Sequence, residues 1–462
     1  MSRRAAALAA AAGIVLAAAN PAVAVAISPP TASLSALEAN PPSNPPEPTR
    51  QSAICGAPFA SDAATLRDPS AAQQLMDVER AWQYSRGAGQ LVAVIDTGVN
   101  PSSRFTRVIG GGDFVSDSTG LSDCDGHGTT VAGIIAARPR PDTDAFAGVA
   151  PEASILSIRQ SAATFEAKDS KDSGPTRLAT AGYGDVRTLA WAVVTAVKRG
   201  ATVINISEVA CAADTSDMRD GALGAALRYA YSRNVVVVAA AGNLTGSCEN
   251  QNPDPNPARP DLQGWDTVRT IVSPAWYSDY LLTVGGVHSD TGQPWALSVH
   301  GPWVSVAAPA TDVVSIGTGG RAVNRQNGGD QGPVPLNGTS FAAPYVAGLA
   351  ALIKSRYPGI SAREVMDRIT RTAHGPGPVR DNAVGYGVID PVAALTDTPP
   401  GVPERSPTEP KAIAAPQSSS DAGRLPKLIG LLGTLGCLVV AGVAWAISLP
   451  RRHLRRLTED DY

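Results

Sequence analysis

The chain has 462 residues, 17% of them charged, 44% hydrophobic, and a formal net charge of −3. No basic patch interleaved with aromatics accompanies that balance, which argues against a nucleic-acid partner. The apolar fraction and length are enough for one large core, expected over residues 75–394.

In chain order, Met1-Ser2-Arg3-Arg4, an apolar Ala-rich run from Ala5 to Ala19 and small residues up to Ala26 have the pattern of an export signal, with cleavage expected after Ala24 or Ala26. Residues 27–74 begin rich in proline, with Pro29, Pro30, Pro41, Pro42, Pro45, Pro46 and Pro48. So many prolines rule out an independent sheet and predict an extension wrapped on the following domain. The stretch ends in a predicted helix, Ser70 to Tyr84, with Leu75 and Val78 facing inward. Short apolar runs then predict strands at 91–95, 153–158, 202–206, 235–240 and 281–287. Helical patterns separate or follow them at 127–137, 186–199, 217–232, 340–355 and 361–372, the last opening with the capping-box spacing of Ser361 and Glu364. Strands joined by crossover helices predict an α/β fold with a mostly parallel sheet covered on both faces. Two long segments, 161–185 and 245–276, interrupt the alternation, and long loops in a compact domain commonly carry function. Asp113, Asp117, Asp123 and Asp125 lack the dense oxygen spacing of a calcium loop and read as solvated turns.

Three motifs lie at the edges of these elements. Asp96 ends the first strand and precedes Thr97-Gly98, His127 sits in Asp125-Gly126-His127-Gly128-Thr129, and Ser340 sits in Gly338-Thr339-Ser340-Phe341-Ala342-Ala343-Pro344. In that order the three can be the orienting carboxylate, general base and nucleophile of acyl transfer. Ser340 at a helix N-terminus turns its own N–H toward developing negative charge, and Pro344 is expected in the first turn, where it costs no hydrogen bond. Asn243, after the strand Val235–Val238 and Gly242, can donate its amide to a tetrahedral oxyanion. This chemistry calls for no metal and no other cofactor.

Together these motifs resemble the three signatures of the subtilisin-like serine proteases over about residues 75–394. The resemblance implies a three-layer α/β/α domain with a seven-stranded sheet, a protein or peptide substrate, catalysis by Asp96, His127 and Ser340, and an oxyanion role for Asn243. Within that family the chain resembles the mycosins, membrane-anchored proteases of mycobacterial type VII (ESX) secretion systems. That implies partners among the subunits of such a membrane complex. It also leaves room for a structural or docking role in which proteolysis is dispensable. Ser207-Glu208-Val209 stands where common subtilisins carry a wall of the substrate pocket, so Ser207 and Glu208 are candidate substrate-binding residues and the usual specificity does not carry over.

Of five cysteines, Cys55, Cys124, Cys211 and Cys248 fall on the exported side, an even number for an oxidising compartment. Three pairings are possible. The expected one is Cys55–Cys124, tethering the extension beside His127, with Cys211–Cys248 linking two loops that follow successive core strands. The fifth, Cys437, lies in the uncharged run Leu428 to Leu449, which as a helix is about 33 Å long and can span a bilayer. A Pro/Ser/Ala-rich linker, 395–427, precedes this run, and Arg451, Arg452, Arg455 and Arg456 follow it. The positive-inside rule then predicts a cytoplasmic tail, 450–462, and a single-pass protein with its catalytic domain outside the cell membrane.

Overall fold

β-Branched and small apolar residues form the strands of one sheet: Leu91–Asp96 (β1), Val108–Asp113 (β2), Ser154–Arg159 (β3), Val203–Ile206 (β4), Val236–Ala240 (β5), Leu282–Val287 (β6) and Val304–Pro309 (β7). The structure, a computed structural model, describes residues 27–397 except 62–63, 170–177, 179–181, 214 and 376–379. The seven strands run in the order β7-β6-β5-β4-β1-β3-β2, every neighbouring pair parallel. Strands buried on both faces need no polar alternation, and β4 and β5 are buried at every position.

Helices cover both faces. His127–Ala136 (α1) packs on Thr339–Arg356 (α4), and Val186–Lys198 (α2) packs on Gly221–Ser232 (α3), giving the three-layer α/β/α arrangement. A fifth helix, Ala362–Thr372 (α5), begins with the expected capping box between Ser361 and Glu364. Because all strands run parallel, Asp96, Ser207 and Asn243 follow or end strands at the same edge of the sheet.

Several expectations need correction. The helix expected over 70–84 is two short ones, Ala71–Met76 and Val78–Ala81, broken by Asp77 in the left-handed region. The break rotates Leu75 outward, 38% exposed, and buries Met76 beside Val78. The helix expected over 217–232 is a short one, Thr215–Met218, followed by α3 from Gly221. Asp220 just before it turns its carboxylate inward to accept from Ser273 Oγ, Trp276 Nε1 and Tyr277 Oη, which anchors the end of the long insertion. The aspartates read as solvated turns include two that are buried: Asp113 accepts from the Val115 and Ser116 amides, and Asp123 helps to build the site described below.

The extension lies on the domain through specific bonds. Glu38 accepts from Trp191 Nε1 at 2.6 Å and pairs with Arg187, both on α2, and Arg228 of α3 donates to the Ala32 carbonyl. Thr49–Gln51 pairs antiparallel with Phe165–Ala167, so the extension contributes a strand although its described residues form no sheet among themselves. The linker expected from 395 starts later, since Leu395 is buried in the short helix Pro391–Thr396. The signal segment, the linker beyond 397, the apolar run and the basic tail lie outside the described residues, and no helix among the described residues is long and apolar enough to cross a membrane.

Candidate active site

The site grows from the carboxyl end of β1. Asp96 is fully buried, and its Oδ1 accepts from the Thr97 amide and from His127 Nδ1, each at 2.7 Å. That contact holds the imidazole proton on Nδ1 and leaves Nε2 free to accept another. Such closeness requires glycine at 128, since a Cβ there would sit 2.1 Å from the Gly98 carbonyl oxygen and 3.1 Å from Asp96 Oδ1.

Asp123 fixes this corner from behind. It accepts from the Gly126 amide, the Thr129 amide and the hydroxyls of Thr129 and Thr97, while Thr97 Oγ1 accepts from the Gly128 amide. One buried carboxylate thereby caps the first turn of α1, which begins at His127, and ties it to the segment after β1. Burial lifts its carboxyl to about 6 against the opposing hydrogen bonds from Thr129 and Thr97. Burial also works against a charged His127, yet the Asp96 charge and hydrogen bond, with Glu208 and Asp123 beyond, hold its pKa above the ordinary 6.5.

The opposite wall comes from the start of α4 and the end of β5. Asn243 Oδ1 accepts from the amide and hydroxyl of Thr339, at 2.9 and 3.0 Å. With its oxygen committed there, the amide must present its N–H groups on the other side. A Cβ placed on Gly338 would lie 3.5 Å from Asn243 Nδ2 and 3.1 Å from Ser340 Oγ, so the two groups flank one small gap. His127, Ser207, Glu208, Val209, Asn243 and Ser340 line a common cavity of about 170 Å³. Ser340 Oγ has no hydrogen-bond partner among the described residues and shares this cavity with the His127 ring.

Pro344 is the sixth residue of α4, one turn later than expected. Having no N–H, it leaves the Ser340 carbonyl without the usual donor four residues on. The Ser207 hydroxyl donates to that carbonyl at 2.9 Å and accepts from Asn205 Nδ2, also at 2.9 Å. Ser207, predicted only as a pocket wall, therefore also holds the first turn of α4. Asn205 and Asp123 were missed as site residues. The signal for Asn205 and Ser207 was a proline four residues after the serine, which demands a substitute donor from elsewhere.

The cysteines pair as expected. Cys55–Cys124 brings the extension beside the His127 turn, where Pro58 and Ala57 press on Gly126. Cys211–Cys248 joins the strand Ala210–Ala212, just after Val209, to the insertion that leaves Asn243.

The Subtilase family profile matches residues 87–387. Mycosin-1 of Mycobacterium tuberculosis is 45% identical over 416 residues, covering 89% of this chain and 91% of that protein. The chain is a subtilase of the mycosin group. Its fold is correspondingly close to a crystal structure of MycP1 from the ESX-1 type VII secretion system, with a TM-score of 0.75 and 46% identity over 81% of this chain and 97% of that one. A chain in the structure of an intact ESX-5 inner membrane complex matches it with a TM-score of 0.74 and 39% identity, over 91% of this mycosin and all of that chain. Subtilases are serine proteases, and the Asp96–His127 pair of this mycosin stands as the orienting carboxylate and base of a triad do.

Proposed function

We propose that the chain is a serine endopeptidase in which Ser340 is the nucleophile, His127 the general base, Asp96 its orienting partner and Asn243 the oxyanion donor. The 2.7 Å Asp96–His127 contact, at a cavity that also holds Ser340 Oγ and the Asn243 amide, carries this reading. Ser340 Oγ attacks the scissile carbonyl carbon while its proton passes to His127 Nε2, and the carbonyl π pair moves onto oxygen. The Asn243 side-chain N–H and the Ser340 amide hold that oxyanion. Collapse expels the amine, which takes the proton from Nε2, and water repeats the sequence on the acyl-enzyme. Glu208 at the cavity wall, with Val209, contributes to substrate selection. The purified full-length chain should cleave members of a peptide library, with Ser340→Ala at background; equal cleavage by both would refute the assignment.

A second reading is favoured by one observation: the match to a chain inside an ESX-5 inner membrane complex covers all of that chain. By that likeness the chain works beside the subunits of a type VII secretion membrane complex. The uncharged run from Leu428 supports a single-pass anchor with the catalytic domain on the extracytoplasmic side. A deletion strain complemented with Ser340→Ala separates the two roles. Restored complex assembly and secretion would make the fold itself the essential contribution, and loss of both would make it catalysis.

A further inference from the structure

The corner around His127 carries a carboxylate that a triad does not need, Glu208, which lines the cavity and accepts from Ser161 Oγ at 3.3 Å. Glu208 is a second buried carboxylate, 2% exposed, and one donor atom each from Asp96, His127 and Glu208 lies within 4.8 Å of the others. Asp96 is fully buried, and its Oδ2 has no hydrogen-bond partner among the described residues. A carboxylate oxygen held from water with no donor is costly to leave so, and a cation is one way to satisfy it.

We propose that Asp96, His127 and Glu208 form a zinc site whose occupation switches the protease off. One imidazole nitrogen with two carboxylate oxygens suits Zn²⁺, and three protein ligands with an open fourth position are what a reversibly filled zinc site needs. Mg²⁺ and Ca²⁺ favour all-oxygen shells and do not fit this set. Tetrahedral zinc at ~2.0–2.2 Å from each ligand spaces its donor atoms about 3.4 Å apart. The spread of 4.8 Å must close by little more than an ångström, while the 2.7 Å contact between His127 and Asp96 opens by less. Side-chain rotation covers both movements, and His127 and Glu208, which line the 170 Å³ cavity, give an ion its approach to the fully buried Asp96 behind them.

The consequence for catalysis, which rests on the triad reading, follows from the two ring nitrogens. Zinc on Nδ1 displaces the hydrogen bond to Asp96 and leaves the single proton of the neutral ring on Nε2, where it cannot accept the Ser340 proton. Zinc on Nε2 occupies that position outright. Either way the base is lost with no bond made or broken in the substrate.

Zinc binding and activity are tested separately. Detergent-solubilised full-length Ser340→Ala protein, which needs no activity, is dialysed against Zn²⁺ and its bound metal counted. We expect one ion per chain, an affinity at least about tenfold weaker after Glu208→Gln, and no change after His374→Ala, which removes the exposed His374–Asp390 pair as a competing site. Absence of bound zinc, or equal affinity after Glu208→Gln, overturns the proposal. Should Glu208→Gln fail to fold, Co²⁺ added to the Ser340→Ala protein decides: a visible d–d band of a tetrahedral site supports the proposal, and the weak spectrum of an octahedral ion contradicts it. In protein with Ser340 intact, each variant is compared with its own metal-free rate. Zinc should inhibit, EDTA should reverse it, and Mg²⁺ should not compete; stoichiometric zinc with an unchanged rate refutes the switch. Zinc bound by a protein with no peptidase activity would leave the site standing and count against the triad reading instead.

Discussion

At the scale of single residues, the chemistry depends on neighbours that do no chemistry themselves. Gly128 admits no side chain beside Asp96, so Gly128→Ala should push His127 off its carboxylate. A displacement of about an ångström at a reacting group costs roughly 100-fold in rate, and we expect that loss in kcat together with a stability loss of about 1–3 kcal/mol from overpacking. Steady-state kinetics and urea denaturation measure both. Ser207→Ala removes the substitute donor for the Ser340 carbonyl. A net hydrogen bond is worth about 0.5–1.5 kcal/mol, up to roughly tenfold in rate, so kcat should fall by that order with a correct fold; an unchanged kcat would show that Pro344 leaves no carbonyl in need. The pH dependence has a definite sign. His127 must be neutral to act as base, and Asp96 and Glu208 hold its pKa above 6.5. Activity measured with chelator present should therefore fall as pH drops through a value above 6.5, and an acid limb well below 6.5 would contradict the electrostatics. Asp96, His127, Ser340 and Asn243 were legible because each stands in a short motif at a strand or helix edge. Asn205 and Asp123 were not, because their roles exist only once Pro344 has removed a donor and the His127 turn has closed over Thr97.

At the scale of elements, five of the seven strands were legible as apolar runs and two were not. Gly110-Gly111-Gly112 leaves no apolar run to recognise, yet it lies in β2. A Cβ on Gly111 would sit 2.6 Å from Ile158 Cγ1, so close packing rather than propensity selects glycine there. The helix expected over 217–232 is interrupted after Met218 and resumes at Gly221 for a comparable reason, since Asp220 is claimed by Ser273, Trp276 and Tyr277 far along the chain. The insertion after Asn243 is held by the same contacts and by Cys211–Cys248, which closes a 37-residue separation. Loop-closure entropy puts such a bond at about 4 kcal/mol. Replacing both cysteines with serine should lower unfolding stability by up to that amount in chemical denaturation. It should also raise KM more than it lowers kcat, because the loosened strand follows Val209 in the cavity wall and not His127.

At the scale of the whole chain, the extension bears on how the protease is restrained. It is bonded to α2 and α3 through Glu38 and Ala32, and it reaches the His127 turn at Cys55–Cys124, at the Gly56 amide, which donates to the Cys124 carbonyl, and at Ala57 and Pro58. None of its described residues lines the cavity shared by His127 and Ser340. Removing residues 27–48 should thus lower stability without a large rise in turnover, and a strong activation with the domain still folded would mean that the extension inhibits. The account as a whole stands on Ser340 being an activated nucleophile. The most direct test is a fluorophosphonate probe on the purified full-length protein, followed by peptide mapping of the labelled residue. Stoichiometric labelling on Ser340, lost in His127→Ala, is the predicted result; labelling elsewhere, or undiminished labelling of Ser340→Ala, would contradict it.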